Sequence, residues 1–144
     1  GKQKKLFLGN LDAKRDWGHA KDYVEGMWKI LQHDKPDDFV LATGQSITVR
    51  EFIILALDKL GIEIEFQGSE LQEIGVVIAN NKSAKVKIGQ EIIKISSRYY
   101  RPTEVESLLG DASHAKKELG WEPKYNIDEL VHEMVSYDLE YFKP

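Results

Sequence analysis

The chain has 144 residues, 42% of them apolar, so it is long enough to form one domain with a substantial core. Its 24 acidic residues outnumber its 20 lysines and arginines, giving a formal net charge of −4. That balance excludes general attraction to nucleic acid or to an anionic membrane, so an anion must bind at a local site. The chain has no cysteine, which excludes disulfides and thiolate chemistry.

The apolar runs show no targeting or membrane signal. The first ten residues, GKQKKLFLGN, lack the long apolar stretch of a signal peptide. No run approaches the roughly 20 apolar residues that a membrane span requires. We therefore expect a cytoplasmic protein with neither a membrane nor a nucleic acid as its partner.

The first third of the chain predicts elements of an α/β fold. A short apolar run at 5–9 ends in the turn Gly9-Asn10, and an apolar stripe with helical spacing predicts a helix at about 19–33. We expect Tyr23, Met27 and Trp28 of that stripe to lie in the core. The continuous apolar run DFVLAT at 38–43 is typical of a strand that is buried on both faces.

Capping patterns place the remaining helices. Ser46 or Thr48 is a candidate N-cap, Thr48 and Glu51 have the spacing of a capping box, and Gly61 follows as a C-terminal stop. Near the other end, Asp111 is a candidate cap for a short helix that ends at Gly120. Asn126 and Glu129 again have capping-box spacing and precede the apolar stripe of a last helix.

The middle of the chain changes character. The runs IEIEF, GVVIA and EIIKI are short and rich in β-formers, and glycine or asparagine turns separate them. We interpret 62–96 as a β-rich insertion. Its carboxylates, Glu63, Glu65, Glu70 and Glu73, are expected to keep an exposed face in solvent rather than to act in catalysis.

The segment KRDWGHAKDYV at 14–24 concentrates cations at a predicted helix entrance. Lys14, Arg15, His19 and Lys21 lie within eight positions, and free N–H groups at a helix start favour anions. This pattern suggests a phosphate site. The alternative is a set of solvated charges with Arg15 paired to Asp16, and spacing alone favours that alternative.

The segment SRYYRPTEV at 97–105 contains an arginine, a proline and a carboxylate within four positions. Arg101 can hold an anion through its planar fork, and Glu104 can accept hydrogen bonds from hydroxyl groups. A site that binds an anion beside a diol suits a nucleotide. A surface salt bridge is the alternative explanation for the same residues. The four histidines have no metal-site spacing, so we expect no metal.

Three blocks together resemble the GDP-mannose 4,6-dehydratases of the extended short-chain dehydrogenase/reductase superfamily. They are LGNLDAKRDWGHAKDYV at 8–24, DFVLATGQSITVREF at 38–52 and YYRPTEVESLLGDASHAKKELGW at 99–121. The resemblance implies that residues 1–144 are the C-terminal, substrate-binding part of such an enzyme. This part would contain a late strand of the Rossmann sheet, its helices and a small substrate-binding domain with the 62–96 insertion.

The resemblance also implies chemistry that this chain does not carry. The family is an NADP-dependent lyase that converts GDP-mannose to GDP-4-keto-6-deoxymannose, a step towards GDP-fucose, and is expected to act as a homodimer or homotetramer. Its glycine-rich cofactor turn and its Tyr-x-x-x-Lys motif match no position here, so we assign no catalytic or cofactor-binding residue. Alone, the chain is expected to be inactive and unstable, rearranged or oligomeric.

Three positions match substrate-binding residues of the family. The resemblance implies that Arg15 and Arg101 contact the diphosphate and that Glu104 accepts hydrogen bonds from the ribose.

Two alternatives stay open. The chain could act on another nucleotide sugar, as a dehydratase or epimerase, or it could be a non-catalytic or truncated domain that only binds a nucleotide.

Overall fold

The computed structural model of the protein describes residues 3–81, 85–101, 105 and 107–142. These described residues form six strands, four α-helices and a short 3₁₀ helix at Glu70–Gln72. In chain order the elements are β1 (Leu6–Leu8), β2 (Lys14–Asp16), α1 (Ala20–Leu31), β3 (Ser46–Thr48), α2 (Val49–Lys59), β4 (Ile62–Gln67), β5 (Ile74–Asn80), β6 (Glu91–Ile95), α3 (Ser113–Leu119) and α4 (Ile127–Tyr141).

The chain separates into two compact units. The sheet unit consists of Gly1–Ala13 and Thr48–Glu106, and the helix unit consists of Lys14–Ile47 and Ser107–Pro144. In the part of the chain that the structure describes, no helix is long and apolar enough to cross a bilayer.

The sheet unit is built on a four-stranded mixed sheet in the order β1-β6-β5-β4. The first strand is parallel to β6, and the other neighbours are antiparallel. Alternation in β6 buries Ile93 and Ile95 while Lys94 faces solvent, and α2 adds Ile53 to the same core. Segment 62–96, which we interpreted as an insertion, thus supplies three of the four strands and part of this core.

The predicted start and end of α2 are both confirmed. The Thr48 hydroxyl accepts from the Glu51 N–H, and the Glu51 carboxylate accepts from the Thr48 N–H, which forms the capping box. Beyond the helix, Gly61 adopts φ +67°, a left-handed conformation that suits glycine.

The helix unit is organised around Trp121, which is only 1% exposed. Its indole Nε1–H donates to the main-chain oxygen of Asp22, 2.8 Å away in α1. The Asp22 carboxylate, itself 2% exposed, accepts from the Tyr125 N–H at 3.1 Å. A side chain at Gly26 would clash with Leu41 and crowd the indole, so a glycine there lets α1 approach Leu41 and Trp121 closely.

The two later helices largely match their predictions. The last helix, α4, has the predicted capping box between Asn126 and Glu129. The shorter α3 ends as predicted at Gly120, but its N-cap is Ala112, which provides no side-chain cap. Asp111 lies one residue too early and instead accepts from the Ser113 N–H at 2.9 Å. This bond lowers the pKa of Asp111.

The prediction of a strand at 38–43 was wrong. A strand depends on hydrogen-bonded neighbours, and no described segment pairs with these residues. Val40 is 53% exposed, while Ala42 is buried close to Gly110. Leu41 lies close to Gly26, and Asp16 accepts hydrogen bonds from Thr43, so side-chain contacts rather than strand pairing hold the run.

The prediction that the α1 stripe lies in the core was wrong for Met27 and Trp28. No described residue covers the outer face of α1, where Val24, Met27, Trp28 and Leu31 are 64%, 58%, 60% and 80% exposed. Their i, i+3, i+4, i+7 spacing makes a continuous apolar surface. Exposure on this scale favours association or aggregation.

The bond from Tyr125 to Asp22 predicts a specific stability loss. We expect Asp22→Leu to lower the free energy of unfolding by about 1–3 kcal/mol, because the part-buried Tyr125 N–H loses its acceptor. Asp22→Asn should lose less, since an amide oxygen can still accept that bond. Urea denaturation followed by circular dichroism measures both variants. An equal loss in the two would show that the carboxylate charge matters instead.

The exposed face of α1 predicts self-association when the 144-residue chain is expressed alone. Leu31→Glu should raise the monomer fraction in sedimentation velocity, because it puts a charge in the apolar face. Gln32→Glu is the matched control, since it adds the same charge at a neighbouring position outside the stripe. A wild-type chain that sediments as a monomer and unfolds sharply and reversibly would contradict the prediction.

Candidate functional site

The first candidate residue, Arg15, lies in the middle of β2 in the helix unit. This strand pairs with β3, and a parallel bridge joins Lys14 to Ser107. Arg15 is half-buried, and its Nη1 donates to the main-chain oxygen of Lys14 at 2.7 Å. The backbone that carries Arg15 is therefore held by its pairing with β3 and by the bridge to Ser107.

Asp16, the next residue of β2, binds the loop before β3. One carboxylate oxygen accepts from the Thr43 N–H at 3.0 Å and from the Thr43 hydroxyl at 2.6 Å. The other accepts from the Gly44 N–H at 3.0 Å. Both oxygens thus bind the 43–44 loop. The ion pair of Asp16 with Arg15 that we considered stays a prediction.

The helix entrance at α1 is not a cluster of four available cations. His19 is buried at the N-cap, where its Nδ1 accepts from the Lys21 N–H at 3.1 Å. Its Nε2 lies 3.3 Å from Glu133, and the Lys21 ammonium donates to both oxygens of Glu133 at 2.9 Å. That ion pair raises the pKa of Lys21 and lowers the pKa of Glu133. Two of the four predicted cations, His19 and Lys21, are therefore engaged by Glu133.

A cavity of about 190 Å³ lies beside the end of β2. Trp17 and Tyr125 provide aromatic walls, and Gln45 lies on the loop that Asp16 holds through Thr43. The Tyr125 ring stacks on the His19 ring, with 4.3 Å between their centroids. Sequence analysis missed this cavity because its two aromatic walls, Trp17 and Tyr125, are more than 100 positions apart in the sequence.

The second candidate residue, Arg101, follows a turn at the end of β6 in the sheet unit. The Tyr99 and Tyr100 N–H groups both donate to the Ser96 main-chain oxygen at 3.0 Å, which closes the turn. Arg98 packs over the Tyr99 ring, whereas Arg101 is exposed and has no hydrogen bond or ion pair among the described residues. Glu104, the predicted ribose ligand, lies outside the described residues.

An arginine that the sequence did not single out is engaged in a salt-bridge network in the sheet unit. Arg50 donates to Glu73 at 2.6 Å and to Asp12 at 2.8 Å, and its guanidinium lies 4.5 Å from the centre of the Phe66 ring. The bond to Glu73, then that to Asp12, raises the pKa of Arg50. Glu73 therefore has a structural partner, although we expected it to be a solvated surface charge.

Arg15 belongs to the helix unit and Arg101 to the sheet unit. Each unit supplies one of the predicted diphosphate ligands, and their convergence on one ligand stays a prediction. Among the described residues, no group of three histidine or acidic side chains could hold a metal ion.

Comparison with known proteins supports one family. The sequence model described as GDP-mannose 4,6 dehydratase matches residues 1–134. The chain is 53% identical over 142 residues to the GDP-mannose 4,6-dehydratase of Vibrio cholerae serotype O1, covering 97% of this chain and 38% of that protein. It is 50% identical over 140 residues to that of Yersinia enterocolitica, covering 96% of this chain and 38% of that protein. The chain thus spans a little over a third of these relatives.

The fold also matches solved structures. The UDP-glucose 4-epimerase of Bifidobacterium longum, in complex with NAD⁺ and UDP, superposes with a TM-score of 0.67 at 20% identity, over 97% of this chain and 36% of that one. This likeness confirms the predicted α/β fold. Because a family model covers nearly the whole chain, the chain belongs to the GDP-mannose 4,6-dehydratase family.

Proposed function

We propose that this chain supplies the sugar-nucleotide-binding part of a GDP-mannose 4,6-dehydratase, a lyase that forms GDP-4-keto-6-deoxymannose and water from GDP-mannose. The observation that carries the proposal is 53% identity to a GDP-mannose 4,6-dehydratase over 97% of the chain. The chain covers 38% of that relative, so the complete reaction is proposed for a full-length protein that contains it.

The residues that the structure describes do not fit the role of holding the NADP that the family implies. A dinucleotide pyrophosphate binds at a glycine-rich turn that opens a helix. Here Glu51 occupies the start of α2 and Glu129 occupies the start of α4, through their capping boxes. We therefore assign no cofactor-binding residue and derive no step through NADP. Homo-oligomeric assembly and a cytoplasmic location likewise remain predictions.

The proposed role of Arg15 is to bind the diphosphate from β2. A guanidinium can donate two parallel hydrogen bonds to phosphate oxygens, and a half-buried position strengthens such bonds relative to open solvent. Pairing with β3 and the bonds from Asp16 to the 43–44 loop hold the strand that carries it. A pre-positioned arginine loses less conformational entropy when the ligand binds.

The proposed role of Arg101 is to provide the second cation for the diphosphate. In this acidic chain most cations whose bonds the structure describes are paired with carboxylates, as Lys21 is with Glu133 and Arg50 is with Glu73. Arg101 has no such partner among the described residues. Glu104, three residues later in the family motif, is proposed to accept hydrogen bonds from the ribose hydroxyls.

These contacts would affect turnover as well as affinity. The nucleotide is remote from the hexose carbons that react, yet its binding energy can hold the hexose in the reactive position. Loss of an anchoring arginine therefore raises KM and also lowers kcat when the hexose becomes misplaced.

This proposal predicts the effect of removing each arginine from a full-length enzyme that contains the chain. Arg15→Ala and Arg101→Ala should each lower kcat/KM for GDP-mannose by about tenfold to a hundredfold, the value of one charge-assisted hydrogen bond of roughly 1.5–3 kcal/mol. Steady-state kinetics and isothermal titration calorimetry measure the two losses.

Neighbouring cations provide matched controls for both variants. Lys14→Ala removes a charge from the position before Arg15, and Arg98→Ala removes one from the turn that precedes Arg101. Both controls should retain most of the activity. A normal kcat/KM in either Arg15→Ala or Arg101→Ala would overturn the role of that residue, and equal losses in the controls would point to a general charge effect.

A binding comparison tests the nucleotide. Because the close relatives are GDP-mannose 4,6-dehydratases, we expect the full-length protein to bind GDP-mannose at least tenfold more tightly than UDP-glucose or dTDP-glucose. Competition calorimetry with the three sugar nucleotides measures this ratio. Preference for a uridine or thymidine nucleotide would favour a dehydratase or epimerase of another sugar. Binding without turnover would favour a non-catalytic domain.

A further inference from the structure

Gly9, at the end of β1, lies against the turn that precedes Arg101. A Cβ at this position would be 2.5 Å from the main-chain oxygen of Tyr99 and 3.0 Å from its carbonyl carbon. Real Cβ atoms essentially never approach another heavy atom as closely as 2.5 Å, and both partner atoms belong to the backbone. A side-chain rotation therefore cannot relieve the clash, so a larger residue must displace the turn or the strand.

The turn is fixed on both sides of the point of contact. The Ser96 N–H donates to the Leu8 main-chain oxygen at 2.9 Å, which joins the start of the turn to β1 next to Gly9. The Tyr100 side chain packs against the core cluster that contains Leu11 and Ile95. Displacing Tyr99 therefore weakens hydrogen bonds or core contacts, and the structure has little freedom to absorb a Cβ at Gly9 without moving the turn.

Arg101 takes its position from this turn. It is covalently joined to Tyr100, so its Cα lies about 3.8 Å from the Tyr100 Cα. Its side chain has no hydrogen bond or ion pair among the described residues that would hold it independently. A shift of the Tyr99–Tyr100 backbone is therefore passed to the guanidinium.

We propose that Gly9 is a positioning residue for Arg101: its lack of a side chain allows the backbone approach that directs the guanidinium towards the diphosphate of a nucleotide sugar. The inference rests on the proposed function, in which Arg101 binds that diphosphate. Gly9 itself touches no substrate. Its substitution should mimic loss of the arginine while leaving the arginine in the chain.

A double-mutant cycle tests this coupling in a full-length enzyme that contains the chain. Gly9→Ala should raise the Kd for GDP-mannose on the order of tenfold to a hundredfold when Arg101 is present, since displacements near 1 Å have effects of this size. In the Arg101→Ala background the same change should alter Kd less than about twofold, because no arginine is left to misplace. Calorimetry at two salt concentrations also measures whether Gly9→Ala reduces the salt dependence of Kd, as loss of a phosphate contact requires.

Gly75→Ala is the matched control for a simple loss of stability. Gly75 lies in β5 of the same unit, and a Cβ there would be 2.9 Å from the Ile93 Cβ. This control should lower Tm and leave the Kd for GDP-mannose unchanged. If Gly9→Ala does not fold, Tyr100→Leu, which weakens the core contact of the same turn, replaces it in the cycle with the same expected coupling.

The outcomes separate the two hypotheses. An unchanged Kd in Arg101→Ala alone would overturn the proposed binding role of Arg101, and this inference with it. If Arg101→Ala weakens binding but Gly9→Ala weakens it equally in both backgrounds, Arg101 keeps its role and the positioning role of Gly9 is wrong. A loss of affinity in Gly75→Ala as large as in Gly9→Ala would also overturn the inference.

Discussion

The helix unit depends on one buried carboxylate, Asp22, in the first turn of α1. Burying a carboxylate is costly unless hydrogen bonds satisfy it, and here the Tyr125 N–H and the favourable field at a helix start provide compensation. The adjacent bond from the Trp121 indole to the Asp22 main-chain oxygen joins the same two segments. Since β2 is separated from α1 by only three residues, the backbone that carries Arg15 is tied to this junction.

In this acidic chain, an ion pair with a carboxylate indicates that a cation has a structural role. Lys21 and Arg50 each meet a carboxylate at 2.9 Å or less, so their positive charges are largely compensated within the protein. His19 provides an N-cap and contacts Glu133, a structural role for a residue in the most basic segment of the sequence. Proximity in sequence to a predicted anion site was therefore a poor guide to which cation is available. An exposed arginine without a described partner is the better candidate.

Local signals predicted the helices well, because a helix start or end is decided by a few adjacent residues. The capping boxes at Thr48 and Asn126 and the glycine at Gly61 appear where the sequence placed them. The sequence predicted a strand at 38–43 and a buried Trp28, and the structure shows neither. Both features need partner surfaces that lie far away in sequence or outside the described residues. Propensity indicates which element a segment can form, while pairing and burial depend on what covers it.

The same distinction applies to the candidate site. The motifs identified Arg15 and Arg101 by their resemblance to a family, but they did not indicate what holds either residue. Asp16 acts on a loop 27 residues away, and Gly9 accommodates a turn that lies some 90 positions later. Both carboxylate oxygens of Asp16 bind within the protein and Gly9 has no side chain, so a search for functional side chains passes over both. If affinity for a diphosphate requires two guanidinium groups at defined positions, residues that only shape the backbone contribute to binding as much as those that touch the ligand.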